Sequence, residues 1–118
     1  MLKFKFLLMI LTKLMQRAIN KNPKAAAHTQ GEELIFQIQT ASGSGRYYIV
    51  KNQRIRSHAG RRDNADFTLS FSSAKKAFSV LSSKDSTAAF LSAVGSKDLI
   101  ISGDYAKVMW FQGLVAYL

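Results

Sequence analysis

Beyond the first 30 residues, the spacing of apolar residues changes near residue 72, and this change restricts the fold class more than any other feature. Before it, apolar residues recur at every second position, which predicts strands with one buried face: Leu34, Phe36, Ile38, Phe67, Leu69 and Phe71. After it, Ser72 and Ser73 are suited to cap a helix, and apolar residues recur with helical three- and four-residue spacing: Ala74, Ala77, Phe78, Leu81, Ala89, Phe90, Ala93 and Val94. Strands followed by helices predict an α+β fold.

Turn-forming residues divide the strand region into short segments. The glycine and serine cluster at 42–45 predicts a hairpin loop, because a second β-rich segment follows it at once. A phosphate-binding loop would need a helix after it, and none is predicted here. The third strand places Arg54, Arg56 and His58 on one side, so that side is expected to face solvent. With a fourth strand at Phe67–Phe71 continuing an antiparallel meander and a fifth at 99–101, we predict a five-stranded, mostly antiparallel sheet covered by helices.

The first 24 residues predict an amphipathic helix that ends near Asn22 and Pro23. One face is apolar, with Leu7, Leu8, Leu11, Leu14, Met15, Ala18 and Ile19, and the other is polar, with Thr12, Lys13, Gln16, Arg17, Asn20 and Lys21. The uninterrupted apolar run at 6–11 is too short for a secretory signal core or a membrane span. We expect a helix outside the main domain, which the sequence places at 31–118.

This helix has two possible partners. The net charge of +10 is concentrated in the first half of the chain, and Phe6, Met9 and Ile10 widen the apolar stripe of the helix. Cationic flanks and a wide apolar stripe favour an interface with an anionic membrane, with these residues facing the headgroups: Lys3, Lys5, Lys13, Arg17 and Lys21. The alternative is that the helix packs on the domain, as most amphipathic helices do.

The sequence does not contain the residue sets of common catalytic sites. It has no cysteine and only His28 and His58, which argues against thiolate chemistry and against a zinc site with regular ligand spacing. No nucleophile-elbow pattern is present. We therefore expect a protein that is not an enzyme and needs no cofactor.

The last segment is almost entirely apolar. After Gly103, which permits a sharp turn, and Asp104, which is suited to cap a helix, only Lys107 and Gln112 are clearly polar. A helix of this composition must be covered on more than one side or border something apolar that is not protein.

Three short motifs resemble the sterol carrier protein type-2 domain family in sequence and relative spacing. They are Ala65–Ser70, Ala89–Ser92 and Leu99–Asp104, and the resemblance extends from about Gly31 to Leu118. It implies a sheet backed by helices around an apolar tunnel for sterols, fatty acyl chains or isoprenoid quinone precursors. Animal members often end in a peroxisomal address, which this chain lacks, so we expect a bacterial stand-alone type.

Carried onto this chain, the resemblance implies a set of residues that line the tunnel. Strand residues supply Leu34, Phe36, Ile38, Phe67, Leu69 and Phe71, and helical residues supply Phe78, Leu81, Phe90, Val94, Met109, Trp110, Phe111 and Leu114. Each of these residue types is equally common in an ordinary packed core. We expect a cytoplasmic carrier that can attach peripherally to the inner membrane.

Two other functions remain open from the sequence. Nucleic acid could bind to a basic region with tyrosines as stacking platforms, formed by Arg46, Tyr47, Tyr48, Lys51, Arg54, Arg56, Arg61 and Arg62. The surplus apolar surface of the first and last helices argues against that alternative. The last helix could instead dock a protein partner or a second copy of the chain, giving a homodimer.

Overall fold

The computed structural model describes residues 2–41 and 45–118, except for the side chains of residues 2, 3 and 86. Helices and strands are largely segregated along the chain in an α+β arrangement, as the sequence predicts. In chain order the elements are α1 (Leu2–Lys21), α2 (Pro23–Thr29), β1 (Leu34–Thr40), β2 (Gly45–Lys51), β3 (Arg54–Ala59), β4 (Phe67–Phe71), α3 (Ala74–Leu81), α4 (Ser86–Gly95), β5 (Leu99–Gly103) and α5 (Tyr105–Val115).

The five strands form one mixed sheet in the order β3-β2-β1-β4-β5. The first three strands are successive antiparallel neighbours, as expected, although the glycine and serine loop between β1 and β2 lies largely outside the described residues. The prediction that β4 continues this meander is wrong, because β4 pairs in parallel with β1. The remaining pairing, β4 with β5, is antiparallel.

The crossover segment, residues 60–66, explains the parallel pairing. It leaves the end of β3 and runs back along β1, where the amide of Arg62 donates to Gln37 Oε1 over 2.9 Å. At its other end, the amide of Ile35 donates to the Asp66 carboxylate over 2.7 Å, and the amide of Asp66 donates to the Ile35 carbonyl. These bonds hold the crossover on β1, so β4 starts beside the start of β1.

Helix α1 packs on the sheet through one face, so the predicted contact with the domain is present. Phe4, Leu8, Leu11 and Met15 are almost fully buried and belong to the same core as the inner face of the sheet. The prediction for two positions is wrong, since Thr12 is buried and Leu14 is 41% exposed. The Thr12 hydroxyl donates to the Leu8 carbonyl, and this bond satisfies its polar group inside the core.

The sequence analysis missed α2. This helix spans only seven residues, with Pro23 in its first turn and the Asn22 side chain accepting from the amide of Lys24. Its apolar residues are alanines, which give only a weak helical pattern in the sequence. The other helices begin where predicted, with Ser73 capping α3 and Asp104 capping α5.

A cluster around Asp98 joins the ends of β4, α3 and α4. Its carboxylate accepts from the hydroxyls of Ser96 and Ser72 and lies 3.5 Å from the ammonium of Lys76. These hydroxyls, with a smaller contribution from the lysine, lower the pKa of the Asp98 carboxyl. The cluster therefore stabilises the helical region most when Asp98 is ionised.

Candidate functional site

The inner face of the sheet and the helices enclose a single apolar core. At its centre, the Phe36 ring stacks on Tyr48 and Phe67 with centroid distances of 4.8 and 5.1 Å. Phe111 of α5 packs against Phe36 at 4.9 Å. Each of these rings is at most 1% exposed. The largest apolar side chains of the sheet therefore meet those of the last helix in one aromatic cluster.

The structure brings most of the residues of the implied tunnel together in this core. Leu34, Phe36, Ile38, Phe67, Leu69, Phe71, Phe90, Trp110, Phe111 and Leu114 are buried, and Leu81 and Val94 are partly buried against them. Phe78 and Met109 are different, being 59% and 56% exposed on the solvent sides of α3 and α5. Their helices present other residues inward, so these two do not lie with the rest.

A small polar cluster interrupts the apolar core beneath α1. The Tyr48 hydroxyl donates to the Leu8 carbonyl over 2.9 Å, and burial raises the pKa of this phenol above its ordinary range. Ser57 and Thr12 hydroxyls lie 2.9 Å apart, and Arg46 Nε donates to Ser57. Because the Thr12 proton is used on Leu8, Ser57 donates to Thr12. The cluster connects α1 to β2 and β3.

This geometry also corrects the alternative basic site. Tyr48 cannot be a stacking platform because its ring is fully buried, and Arg46 points toward the helical side of the sheet, where it bonds Ser57. Tyr47 lies on the opposite face, stacked on His58 at 5.2 Å. The strand alternation could have revealed this, because residues 46, 48 and 50 share one face.

The outer surface of α1 carries mainly apolar side chains in its first half and mainly basic ones in its second half. Phe6, Met9, Ile10 and Leu14 are 63%, 51%, 43% and 41% exposed. The cations of this helix that are described, Lys5, Lys13, Arg17 and Lys21, are exposed as well, and the side chain of Lys3 lies outside the description. No described helix is long and apolar enough to cross a membrane.

Helix α5 is covered on two sides, as its composition predicts. One side packs on the sheet, and the other is fastened to α2 by a reciprocal pair of hydrogen bonds. The Trp110 indole donates to the His28 carbonyl over 2.9 Å, and His28 Nε2 lies 2.8 Å from the Trp110 carbonyl. Because a carbonyl only accepts, His28 must carry its proton on Nε2. The two rings also stack with a centroid distance of 5.7 Å.

Comparison with known proteins shows which solved structures share this architecture. No family model and no curated protein matches the sequence, whereas solved structures match it closely in shape. A structure described as the UbiJ-SCP2 ubiquinone synthesis protein has a TM-score of 0.68 at 15% identity, covering 95% of this chain and 90% of that one. Apo sterol carrier protein 2 from Yarrowia lipolytica has a TM-score of 0.63 at 15% identity, with coverages of 92% and 88%.

Two further structures extend the comparison. Palmitated SCP2L2 from Aedes aegypti has a TM-score of 0.57 at 18% identity, and the match covers 90% of each chain. The sec-alkylsulfatase Pisa1 from Pseudomonas sp. has a TM-score of 0.58 at 14% identity, but the match covers 75% of this chain and only 14% of the sulfatase. The chain therefore has the sterol carrier protein type-2 fold, and the resemblance carried by its three short motifs is confirmed at the level of the fold.

Proposed function

We propose that this protein binds an apolar, lipid-like ligand between its sheet and its helices and that it carries or presents this ligand without catalysing a reaction. The fold is the observation that carries the proposal. It is shared over nearly the whole chain with a structure described as a ubiquinone synthesis protein and with one described as palmitated. A fatty acyl chain, a sterol-like molecule or an isoprenoid quinone precursor would suit such a site.

The composition of the core supports this ligand class. The aromatic cluster of Phe36, Tyr48, Phe67 and Phe111 belongs to a core of hydrophobic side chains. An alkyl chain placed there gains about 0.8 kcal/mol per buried CH₂. The polar cluster beneath α1 provides hydroxyls and the Arg46 guanidinium, which are suited to the polar end of the same ligand.

We further propose that the ligand enters beneath α1. The core side chains are closely packed, so helices must separate before a chain can enter. Helix α1 covers part of this core and packs directly on the sheet. Its side-chain bonds to the sheet in the described structure are Tyr48 to Leu8, Thr12 with Ser57, and Gln16 to the Ile55 carbonyl.

A reversible disulfide tests this entry route. Because the chain has no cysteine, the double variant Thr12→Cys/Ser57→Cys has a single possible intramolecular disulfide. The two hydroxyl oxygens lie 2.9 Å apart, which brings the sulfur atoms within reach of a bond of about 2.05 Å. We expect the oxidised variant to lose palmitate binding in calorimetric titration and the reduced variant to bind like the wild type.

The controls separate the two parts of the proposal. Each single cysteine variant should bind palmitate with or without oxidant. If the reduced protein and the wild type fail to bind palmitate, quinone precursors and sterols alike, the lipid-binding function is wrong. If the oxidised double variant binds as well as the reduced one, the function stands and the entry route beneath α1 is wrong.

The exposed surface of α1 supports work at an anionic membrane. Protruding apolar side chains followed by a basic band match the interface between acyl chains and charged headgroups. On this proposal the protein is cytoplasmic and attaches peripherally to the inner membrane, where its ligand resides. The homodimer stays a prediction, which sizing chromatography at varied concentration would test.

A further inference from the structure

The outer face of the sheet, which the proposed lipid site does not use, carries a cluster of cations on β2 and β3. We call this surface the basic shelf. It consists of the cations Lys51, Arg54 and Arg56, the rings of Tyr47 and His58, and Arg62 of the neighbouring crossover. Lys51, Arg54, Arg56 and His58 line a depression of about 600 Å³ together with half-buried Ile49. Tyr47 and Arg62 lie outside this lining and adjoin it at His58, on which the Tyr47 ring stacks. No helix covers the shelf, because the helices pack on the inner face, as the burial of alternate strand residues shows.

The charges of the basic shelf are not neutralised by the protein. Neither ion pair in the described residues involves a shelf cation, since they join Lys76 with Asp98 and Lys107 with Asp66. No carboxylate lines the depression. Asp63 of the crossover lines another depression, which includes Arg62 but none of the four residues Lys51, Arg54, Arg56 and His58. The shelf therefore presents uncompensated positive charge to solvent.

The strand register places like charges of the basic shelf next to each other, which lowers the stability of the sheet. Lys51 and Arg54 are directly opposite each other across β2 and β3, and like charges in that position destabilise a sheet. Arg56 follows Arg54 on the same face at a spacing of about 7 Å. A ligand with several phosphates would remove the repulsion, because each cation would gain a partner.

Aromatic groups at one end of the basic shelf indicate what kind of polyanion fits. Tyr47 stacks on His58, and the Arg62 guanidinium lies 5.4 Å from the centre of the tyrosine ring. Rings and guanidinium planes of this kind stack on nucleobases, while a row of cations follows the phosphates of an extended strand. The shelf is only two strands wide, which suits one nucleic-acid strand and not a duplex.

The shape of the shelf argues against a membrane at this position. A planar bilayer cannot enter a depression, and Ile49 is the only apolar residue that lines it. The apolar residues that protrude from α1 lie on the other side of the molecule, because α1 packs on the inner face of the sheet through Leu8 and Tyr48. The surplus apolar surface that argued against nucleic acid from the sequence is thus separate from the basic shelf.

We propose that the basic shelf binds single-stranded nucleic acid, as a second activity independent of the lipid site. Arg54, Arg56 and Lys51 contact successive phosphates, and Tyr47 stacks on one base with Arg62 beside it. A membrane-attached protein would still expose the outer face of the sheet, because the protruding apolar residues belong to the helix that packs on the inner face. The protein could then hold a lipid surface and a nucleic-acid strand at the same time.

Fluorescence anisotropy with a labelled 12-nucleotide single-stranded RNA tests this proposal. The logarithm of the association constant should fall linearly with the logarithm of the salt concentration, with a slope of about −0.7 for each phosphate contact. The variant Arg54→Ala/Arg56→Ala should lose at least about tenfold in affinity, and its slope should be shallower by about 1.4. Tyr47→Leu should lose about tenfold with little change in slope, because it removes stacking and no charge.

A matched control separates the shelf from overall charge. Lys75 and Lys84 are exposed in the helical region, so Lys75→Ala/Lys84→Ala removes the same charge away from the basic shelf and should keep RNA affinity within about twofold. Circular dichroism and thermal melting should show that all variants fold, since the altered arginines are exposed on an edge strand.

Four outcomes would overturn the proposal. The arginine variant could bind RNA with wild-type affinity and slope, or the lysine control could lose as much affinity as the arginine variant. Polyglutamate of equal charge could compete as well as RNA, which would indicate an acidic protein partner. Finally, the arginine variant could lose binding to phosphatidylserine vesicles while keeping RNA binding, which would assign the shelf to lipid headgroups.

Discussion

Replacing the protruding apolar residues of α1 should release the protein from anionic membranes without unfolding it. Phe6, Met9 and Ile10 are 63%, 51% and 43% exposed, so together they leave the equivalent of about one and a half side chains in water. Full burial of one such side chain contributes about 1.5–3 kcal/mol. Insertion of the three at a membrane interface is therefore worth about 2–4.5 kcal/mol, and Phe6→Ser/Met9→Ser/Ile10→Ser should weaken partitioning about 30-fold or more.

Flotation with vesicles of phosphatidylcholine and phosphatidylserine measures this partition coefficient. The control variant Leu91→Ser/Ile100→Ser/Met109→Ser removes three side chains that are 61%, 62% and 56% exposed on other elements. It should partition like the wild type, and both variants should keep the wild-type melting temperature within a few degrees. The membrane proposal is refuted if the α1 variant partitions within threefold of the wild type, or if the control loses as much.

Two further predictions concern the framework that holds the site. Gly103 has a φ of 107°, and a Cβ there would lie 2.7 Å from Phe67 Cα and closer still to the Asp66 carbonyl oxygen. Gly103→Ala should therefore lower the free energy of unfolding in urea by about 3 kcal/mol or more. The control Gly95→Ala should change it by less than about 1 kcal/mol, because a Cβ at residue 95 meets no atom within 4 Å. Equal effects of the two substitutions would contradict this reasoning. Because hydrogen bonds lower the pKa of Asp98 in the folded state, its contribution to stability is present above the ordinary aspartate pKa of about 3.9 and is lost as the pH falls through the lower folded value. Asp98→Asn should thus destabilise the protein at pH 7 and progressively less below pH 3.9, and urea unfolding with the same loss at every pH would contradict this.

Local patterns in the sequence predicted most of the fold. Alternation placed Phe36 and Phe67 on one inner face because side chains in a strand have a period of two. Cap residues such as Ser73 and Asp104 predicted where helices start, since their side chains accept from the first free amides. Strand alternation and helix caps depend on residues that are close in sequence, so a single sequence is enough to predict them.

Features that depend on distant residues could not be predicted in this way. The parallel pairing of β4 with β1 requires the crossover bonds to Gln37 and Ile35, which join residues 25 and 31 positions apart. Thr12 was predicted on the polar side of α1, whereas in the structure it is buried beside its hydrogen-bond partner Ser57, which belongs to another element. Strand alternation puts adjacent Tyr47 and Tyr48 on opposite faces of the sheet, but which face is buried depends on where the helices pack. In the structure Tyr48 lies in the core and Tyr47 is half-buried on the outer face.

Native mass spectrometry of the purified protein, followed by organic extraction, tests the central claim of lipid binding most directly. We predict a population with one noncovalently bound lipid, such as a fatty acid or an isoprenoid quinone precursor, which dissociates on mild activation and is recovered in the extract. A protein of unliganded mass that also takes up no added palmitate, sterol or quinone precursor would contradict the claim, and Phe36 and its neighbours would then form an ordinary packed core.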